Sequence, residues 1–250
     1  MERSNDMSRN GKVMVVGLGE IGKPLLGVLS KHYETVGIDI APALDLPEHV
    51  DVMHVCYPFR IQDFVGETFR YIQRFKPKVT VVNSTVAVGT TRSIAERAGA
   101  KVVNSPVRGK HIRMAEDLLH YDKFVGALDS DSADVIARHF QGAGMKTRVL
   151  SSPEATELAK LTETTYFGLI IAWAQEVERY CDQLGLKYDE IVSIYEEVPF
   201  FPRVKYFPGI IGGHCVMSNI EILSQLYRTD LLTAIESSNQ QKIHREKRNV

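Results

Sequence analysis

The chain has 250 residues, 44% of them hydrophobic and 24% charged, with a formal net charge of -1. That is an ordinary globular composition with room for one large domain or two smaller ones, and its near-neutral balance excludes a general nucleic-acid binder. No apolar run reaches the ~20 residues of a bilayer span, and the three cysteines, Cys56, Cys181 and Cys215, are spaced too widely to indicate a disulfide framework or a metal site, so a reducing cytoplasm is the expected compartment.

Residues 1–11 (MERSNDMSRNG) are polar, lack the apolar core of a signal peptide and read as a disordered leader. Val13-Met14-Val15-Val16 is a β-rich apolar run. Gly17-Leu18-Gly19-Glu20-Ile21-Gly22 follows at once, and Pro24–Lys31 then carries Leu25, Leu26, Val28 and Leu29 at helical spacing. Strand, glycine turn and helix together make G-x-G-x-x-G a dinucleotide fingerprint. Gly17 permits the turn, Gly19 lets the backbone approach a pyrophosphate, and Gly22 lets helix and strand pack closely. The amides of Glu20 and Ile21 at the helix start are candidates to face the phosphates. A second strand, Thr35–Ile38, ends in Asp39, which lies where an acid binds the adenosine ribose hydroxyls and repels a 2′-phosphate. NAD is therefore the expected cofactor.

Strands continue at Val50–Cys56, Val79–Asn83, Lys101–Val103, Phe124–Ala127 and Lys146–Leu150. Helical stretches at Ile61–Phe75, Thr90–Ala98 and Ser132–Phe140 separate them. This alternation predicts a Rossmann-like, doubly wound parallel sheet over residues 12–151, with ligand at the strand C-termini. Tyr57, Ser84, Thr85 and Ser105 leave those strands and are expected to line the cofactor cleft. Arg108, Lys110, His111 and Arg113 form a basic cluster that suits an anionic substrate, with a solvated loop as the even alternative.

Ser152-Pro153-Glu154 is a helix-start signal. The helix it opens is predicted to run to about Leu184, with a kinked pair broken at Gly168 as the alternative. A helix that long predicts the spine of a homodimer, so residues 152–250 read as an α-helical dimerisation and catalytic domain with a long central helix. Further helices are expected at Asp189–Glu197, Ile220–Tyr227 and Leu231–Lys242, and His244–Arg248 reads as a solvated end. Lys160 and Thr164 share one helix face. On spacing alone, Glu157 and Lys160 read as a surface ion pair. Phe207–Ile222 holds a Pro-Gly turn and the Gly212-Gly213 pair, which deliver His214 and Cys215 to a helix start. A thiol there is favoured as thiolate by the helix dipole. The bland reading is a tight turn with a small core cysteine.

Taken in order, GLGEIG, VGIDI, VNSTVAVGTT, ATELAKLTETTY and FPGIIGGHC resemble the UDP-glucose/GDP-mannose dehydrogenase family, the nucleotide-sugar 6-dehydrogenases, from about Lys12 onward. That resemblance implies an NAD-dependent enzyme that oxidises a primary alcohol to a carboxylate. An aldehyde is captured on a cysteine as a thiohemiacetal, oxidised to a thioester and hydrolysed. It places Cys215 as the nucleophile and Lys160 as the lysine that assists alcohol and oxyanion chemistry. Thr85 falls near the nicotinamide and the catalytic water, and the glycine loop with Gly212, Gly213 and His214 falls at the sugar.

The chain departs from the family pattern at three polar positions. Val107 stands where a Glu is common, Thr164 where Asn is usual and Asn219 where Asp is found. Thr164 and Asn219 remain catalytic candidates, and Asn219 hydrogen-bonds but does not titrate. The family's third, nucleotide-binding domain is expected to be absent, since the chain ends soon after AIESSNQQ. Two rival expectations stand beside the leading one. The first is a β-hydroxyacid-type dehydrogenase that uses Lys160 alone. The second is an inactive NAD-binding regulatory or scaffold protein. Neither a metal, a nucleic acid nor a membrane partner is expected.

Overall fold

The computed structural model describes residues 11–39, 46–109, 111–199, 207–212 and 215–248. The disordered-leader expectation for residues 1–11 therefore falls almost wholly outside the described residues, as do Lys110, Gly213 and His214. The chain divides into two compact units, Met1–Lys160 and Leu161–Val250.

The first unit is an α/β Rossmann-like fold around one seven-stranded sheet. Its strands are β1 (Lys12–Val16), β2 (Glu34–Ile38), β3 (Val52–Val55), β4 (Val79–Val82), β5 (Val102–Asn104), β6 (Lys123–Ala127) and β7 (Thr147–Val149). They lie in the order β2-β1-β3-β4-β5-β6-β7. The central strands β3, β4 and β5 are buried throughout, as continuous Val-rich segments require when helices cover both faces, while the edge strands β2 and β7 are partly exposed. Alternate residues feed the two faces. Val13, Val15, Val52, Val81 and Val103 pack under α1 (Gly22–Leu29), α4 (Met114–His120) and α5 (Ser130–Gly142). Met14, Val16, Met53, Val55 and Val82 pack under α2 (Phe64–Phe75) and α3 (Thr90–Ala98).

The expectation of a wholly parallel sheet needs one correction. β6 runs antiparallel to β5, pairing Val103 with Ala127 and Asn104 with Gly126. What folds between β5 and β6 is a three-residue 3₁₀ turn, His111–Arg113, and the seven-residue α4. The chain therefore re-enters the sheet at its carboxyl edge, and the first residue of β6, Lys123, sits on that edge. The basic segment read as a loop is thus partly helical, anchored by Met114 and Leu118 in the core.

Helix α6 (Pro153–Leu184) is continuous for 32 residues, with no break at Gly168. A Cβ on Gly168 would lie 2.7 Å from a methyl of Val216. The glycine is thus a point of close helix approach, not a breaker. The second unit packs the later part of α6 with α7 (Tyr188–Ser193), α8 (Val216–Leu226) and α9 (Asp230–Arg248). Residues 194–197 are 3₁₀ rather than α-helical, so the helix read at Asp189–Glu197 is two short pieces. The segment read as a solvated end, His244–Arg248, continues α9. Ion pairs of Lys242 with Glu178 and of Arg245 with Asp182 hold it to α6. No helix among the described residues is long and apolar enough to cross a membrane.

Candidate active site

The glycine turn is shaped by steric need at two positions and left open at a third. Gly17 has φ +90°, and a Cβ there would meet the Tyr57 amide nitrogen at 2.7 Å. A Cβ on Gly22 would sit 1.8 Å from the Gly17 carbonyl oxygen. Gly19 is exposed, and a Cβ on it would meet no atom within 4 Å. Nothing inside the protein therefore demands glycine at that position. The open position leaves room for an external group to approach the backbone. Helix α1 begins at Gly22 with no side-chain cap, and its uncapped first turn suits an anion. The Asp39 carboxylate accepts a hydrogen bond from the Leu18 amide at 3.1 Å, which ties the end of β2 to the turn. These residues fit the diphosphate and ribose of a dinucleotide.

Three strand exits lie beside the turn. Tyr57 meets Gly17 through its backbone. Its hydroxyl bonds Thr68 at 2.6 Å, and its ring packs against Phe64 and Tyr71. The Ser84 hydroxyl donates to the Tyr57 carbonyl at 2.6 Å, so Ser84 locks one exit to the next. Thr85 is half-buried just beyond it. Val107 is a core residue, 5% exposed, and its amide donates to the Asn83 carbonyl at 3.2 Å.

Glu157 is not the surface partner of Lys160 that spacing suggested. It is 2% exposed, and its carboxylate accepts from the Gly89 amide at 2.7 Å and the Thr91 amide at 2.9 Å. An acid from α6 thus caps the start of α3, whose own N-cap residue, Gly89, has no side chain to do so. Burial raises its pKa, and the two amide bonds oppose that shift. Through Glu157, the segment that carries Ser84 and Thr85 is fastened to the helix that carries half-buried Lys160.

Of the basic cluster, Arg108 lies over the rings of Tyr121 and Phe124, 5.4 Å and 5.3 Å from their centroids. Arg113 pairs with Asp117 at 3.8 Å. The two guanidinium groups thus have different partners.

In the second unit, Thr164 and Asn219 are brought together. The Asn219 amide donates to the Thr164 hydroxyl at 2.9 Å, and that hydroxyl donates to the Leu161 carbonyl at 3.1 Å. Cys215 is exposed and occupies the N-cap of α8, while Cys56 and Cys181 are buried. Burial pushes the Cys56 thiol up to about 12, which leaves it protonated and inert. The loop before Cys215 is pinned by buried amides that sequence reading missed. Asn239 accepts from the Ile211 amide at 2.7 Å and donates to the Ile211 carbonyl at 3.0 Å. Gln175 donates to the Gly209 carbonyl at 2.7 Å. Both are nearly fully buried. The available signal was a polar amide at an inward position of each helix. Gly212 is exposed at the end of this loop. Among the described residues, no group of three or more His, Cys, Asp or Glu could hold a metal.

The fold and the glycine turn define a Rossmann-like α/β protein with an attached helical unit. Residues 154–241 match the UDP-glucose/GDP-mannose dehydrogenase family, central domain. The chain resembles that family, and these residues match its central domain. A UDP-N-acetyl-D-mannosamine dehydrogenase from Methanococcus vannielii is 24% identical over 255 residues, covering 82% of this chain and 59% of the relative. The chain thus spans about three fifths of the length of this curated relative. The solved UDP-D-ManNAc dehydrogenase of Pyrococcus horikoshii superposes with a TM-score of 0.79 at 20% identity, covering 92% of this chain and 68% of that one. A 3-hydroxyisobutyrate dehydrogenase from Mycobacterium tuberculosis reaches 0.71 at 15% identity, covering 92% and 93%. At these identities the superpositions establish the fold alone.

Proposed function

We propose that the protein is an NAD-dependent oxidoreductase that oxidises the primary alcohol or aldehyde of a sugar derivative, with Cys215 as the nucleophile. The observation that carries the reading is the glycine turn. Its own atoms require glycine at Gly17 and Gly22, whereas Gly19 is open to an outside group. In the first unit, Gly17, Gly19, Glu20, Ile21 and Gly22 would hold the diphosphate, Asp39 the ribose, and Tyr57, Ser84 and Thr85 the nicotinamide side. When bound, NAD accepts the hydride. Lys160 stabilises the alkoxide that develops as the alcohol proton leaves. In the second unit, Cys215 attacks the aldehyde carbon to give a thiohemiacetal. Loss of a second hydride, to a second NAD, would make this a thioester, and water would then release the acid and restore the thiol. The named relative supports a UDP-linked N-acetyl hexosamine as the substrate class. Its anionic diphosphate suits the Arg108, Lys110 and Arg113 cluster, with Gly212, Gly213 and His214 at the sugar.

The hydrolytic step lacks a carboxylate at the positions where the family pattern has one. Val107 is in the core, and Asn219 is bonded to Thr164. The expected kinetics are therefore a burst of NADH followed by a slow steady state, as an acyl-enzyme accumulates. Rapid mixing with NAD and UDP-N-acetyl-D-mannosamine checks this. An absence of NADH from this and related sugars, with NADH still bound, would instead support the inactive-binder reading.

We read the protein as a homodimer located in the cytoplasm. Tyr166, Trp173 and Tyr180 recur seven residues apart on one face of α6 and are 53%, 53% and 51% exposed. Large aromatic side chains aligned in this way suit an interface. Trp173 is the chain's single tryptophan. Trp173→Glu is expected to raise the dimer dissociation constant at least about 30-fold, the effect of losing one hot-spot residue. Sedimentation equilibrium measures it directly.

A further inference from the structure

Lys123 is 3% exposed and has no carboxylate among its hydrogen-bond partners. Its ammonium donates to Asn83 Oδ1 at 3.0 Å, to the Ser105 carbonyl and to the Pro106 carbonyl at 3.5 Å. The Phe140 ring lies 5.0 Å from it. These three acceptors belong to the residues that leave β4 and β5. The reversal of β6 puts its first residue there. Burying a charge without a counter-ion is costly, and nothing in the proposed chemistry uses this one.

The bond to Lys123 also orients a buried chain of groups. Because Asn83 Oδ1 accepts from Lys123, its amide nitrogen donates to His54 Nδ1, at 3.1 Å. The His54 proton is then on Nε2, which meets His139 Nε2 at 3.0 Å. His139 consequently carries its proton on Nδ1, a buried atom with no hydrogen-bond partner. Both rings are neutral near pH 7, since burial pushes His54 well below its usual value and His139 down to about 4.

We propose that Lys123 is a positioning residue of the first unit, an ammonium clamp that holds the exits of β4 and β5 in register through Asn83 and the carbonyls of Ser105 and Pro106. The link from these exits to the dinucleotide rests on the function proposed above; the clamp itself does not. Titratable groups that bear on Lys123 come from two elements. His54 is on β3, Cys56 directly follows it, and Lys160 is on α6. From β4 and β5 it meets only an amide and carbonyls, and α5 presents the Phe140 ring, with His139 reached through His54. Desolvation, helped by the like charge of Lys160, lowers the Lys123 pKa to about 7.

The neutral amine has one donor fewer and loses charge assistance, so the clamp loosens as pH rises through about 7. Global stability moves the other way. With its folded pKa depressed, Lys123 contributes stability that is present above its unfolded pKa and is lost as pH falls through about 7. A local loosening that coincides with a global gain separates the clamp from general unfolding.

The test is amide hydrogen exchange at Ser105 and Val107, whose amides bond the Val82 and Asn83 carbonyls. The readout is the protection factor below and above about pH 7. In the wild-type chain, protection is expected to fall about tenfold across that step, the difference between a charge-assisted and a neutral hydrogen bond. Lys123→Met is expected to show low protection and no step. Asn83→Asp, which sets a carboxylate beside the amine, should move the step to higher pH and keeps the proposal testable if Lys123→Met does not fold. A flat wild-type profile, a step that persists in Lys123→Met, or an unmoved step in Asn83→Asp overturns the clamp. NADH titration on the same samples is the separate arm. Affinity that weakens through the same step joins the clamp to cofactor binding. A pH-dependent clamp in a chain that binds no NADH would reject the dinucleotide reading and leave the clamp standing.

Discussion

Cys215→Ser is expected to lower kcat for oxidation of the aldehyde by at least about 10³-fold while leaving NADH affinity unchanged. Serine keeps the size of the side chain but is a far weaker nucleophile without an adjacent base. The dinucleotide contacts assigned above lie in the other compact unit, so binding should be spared. Cys215 is exposed while Cys56 and Cys181 are buried. One equivalent of an alkylating reagent on the folded chain should therefore label Cys215 and reproduce the loss. Activity retained by both the serine variant and the alkylated chain would favour the β-hydroxyacid-type reading, in which Lys160 acts without a thiol. An unfolded Cys215→Ser is not expected, because the side chain is exposed.

Gly22→Ala is expected to cost about 3 kcal/mol of stability, the upper range for forcing atoms into a packed site. It should also abolish NADH binding. The added carbon would fall 1.8 Å from the Gly17 carbonyl oxygen, a backbone atom that moves only if the turn itself moves. Gly19→Ala provides the contrast. Its added carbon meets no protein atom, so stability should hold while NADH affinity falls. Denaturant midpoints and a fluorescence titration on the two variants read both effects. Equal destabilisation by the two substitutions would mean that Gly19 is constrained internally, and the argument for a ligand at the turn would fail.

Much of the first unit was legible because its signals are local. The glycine turn follows β1 directly, Asp39 ends β2, and α3 spans the expected Thr90–Ala98. Continuous apolar runs of four or five residues leave little choice but a covered strand. The long helix was legible for a similar reason. Its cap signal and its Gly185 stop lie at its ends, and the internal Gly168 proved to be a contact with Val216. Strand direction was not legible. The antiparallel entry of β6 depends on where a short connecting helix finds room in the core, and no residue of β6 encodes it.

The proposed site shows the same division. Residue types that suit cofactor and thiol chemistry could be named from motifs. The groups that hold them could not. Glu157 looked like half of a surface pair and caps α3 instead. Asn239 and Gln175 had no role assigned from the sequence and pin the Gly209–Ile211 backbone. Lys123 opens an unremarkable apolar strand and lies buried on three acceptors.

The sequence by itself determined the α/β class, the glycine turn with its acidic partner and the helical second half. Each rests on spacing within one element or between adjacent ones, where covalent geometry sets what can meet. Only the tertiary structure decided which polar side chains are buried and what they bond. That depends on partners 17 to 85 residues apart along the chain, and on the low-dielectric interior, where an amide or an amine must find acceptors or not be buried at all.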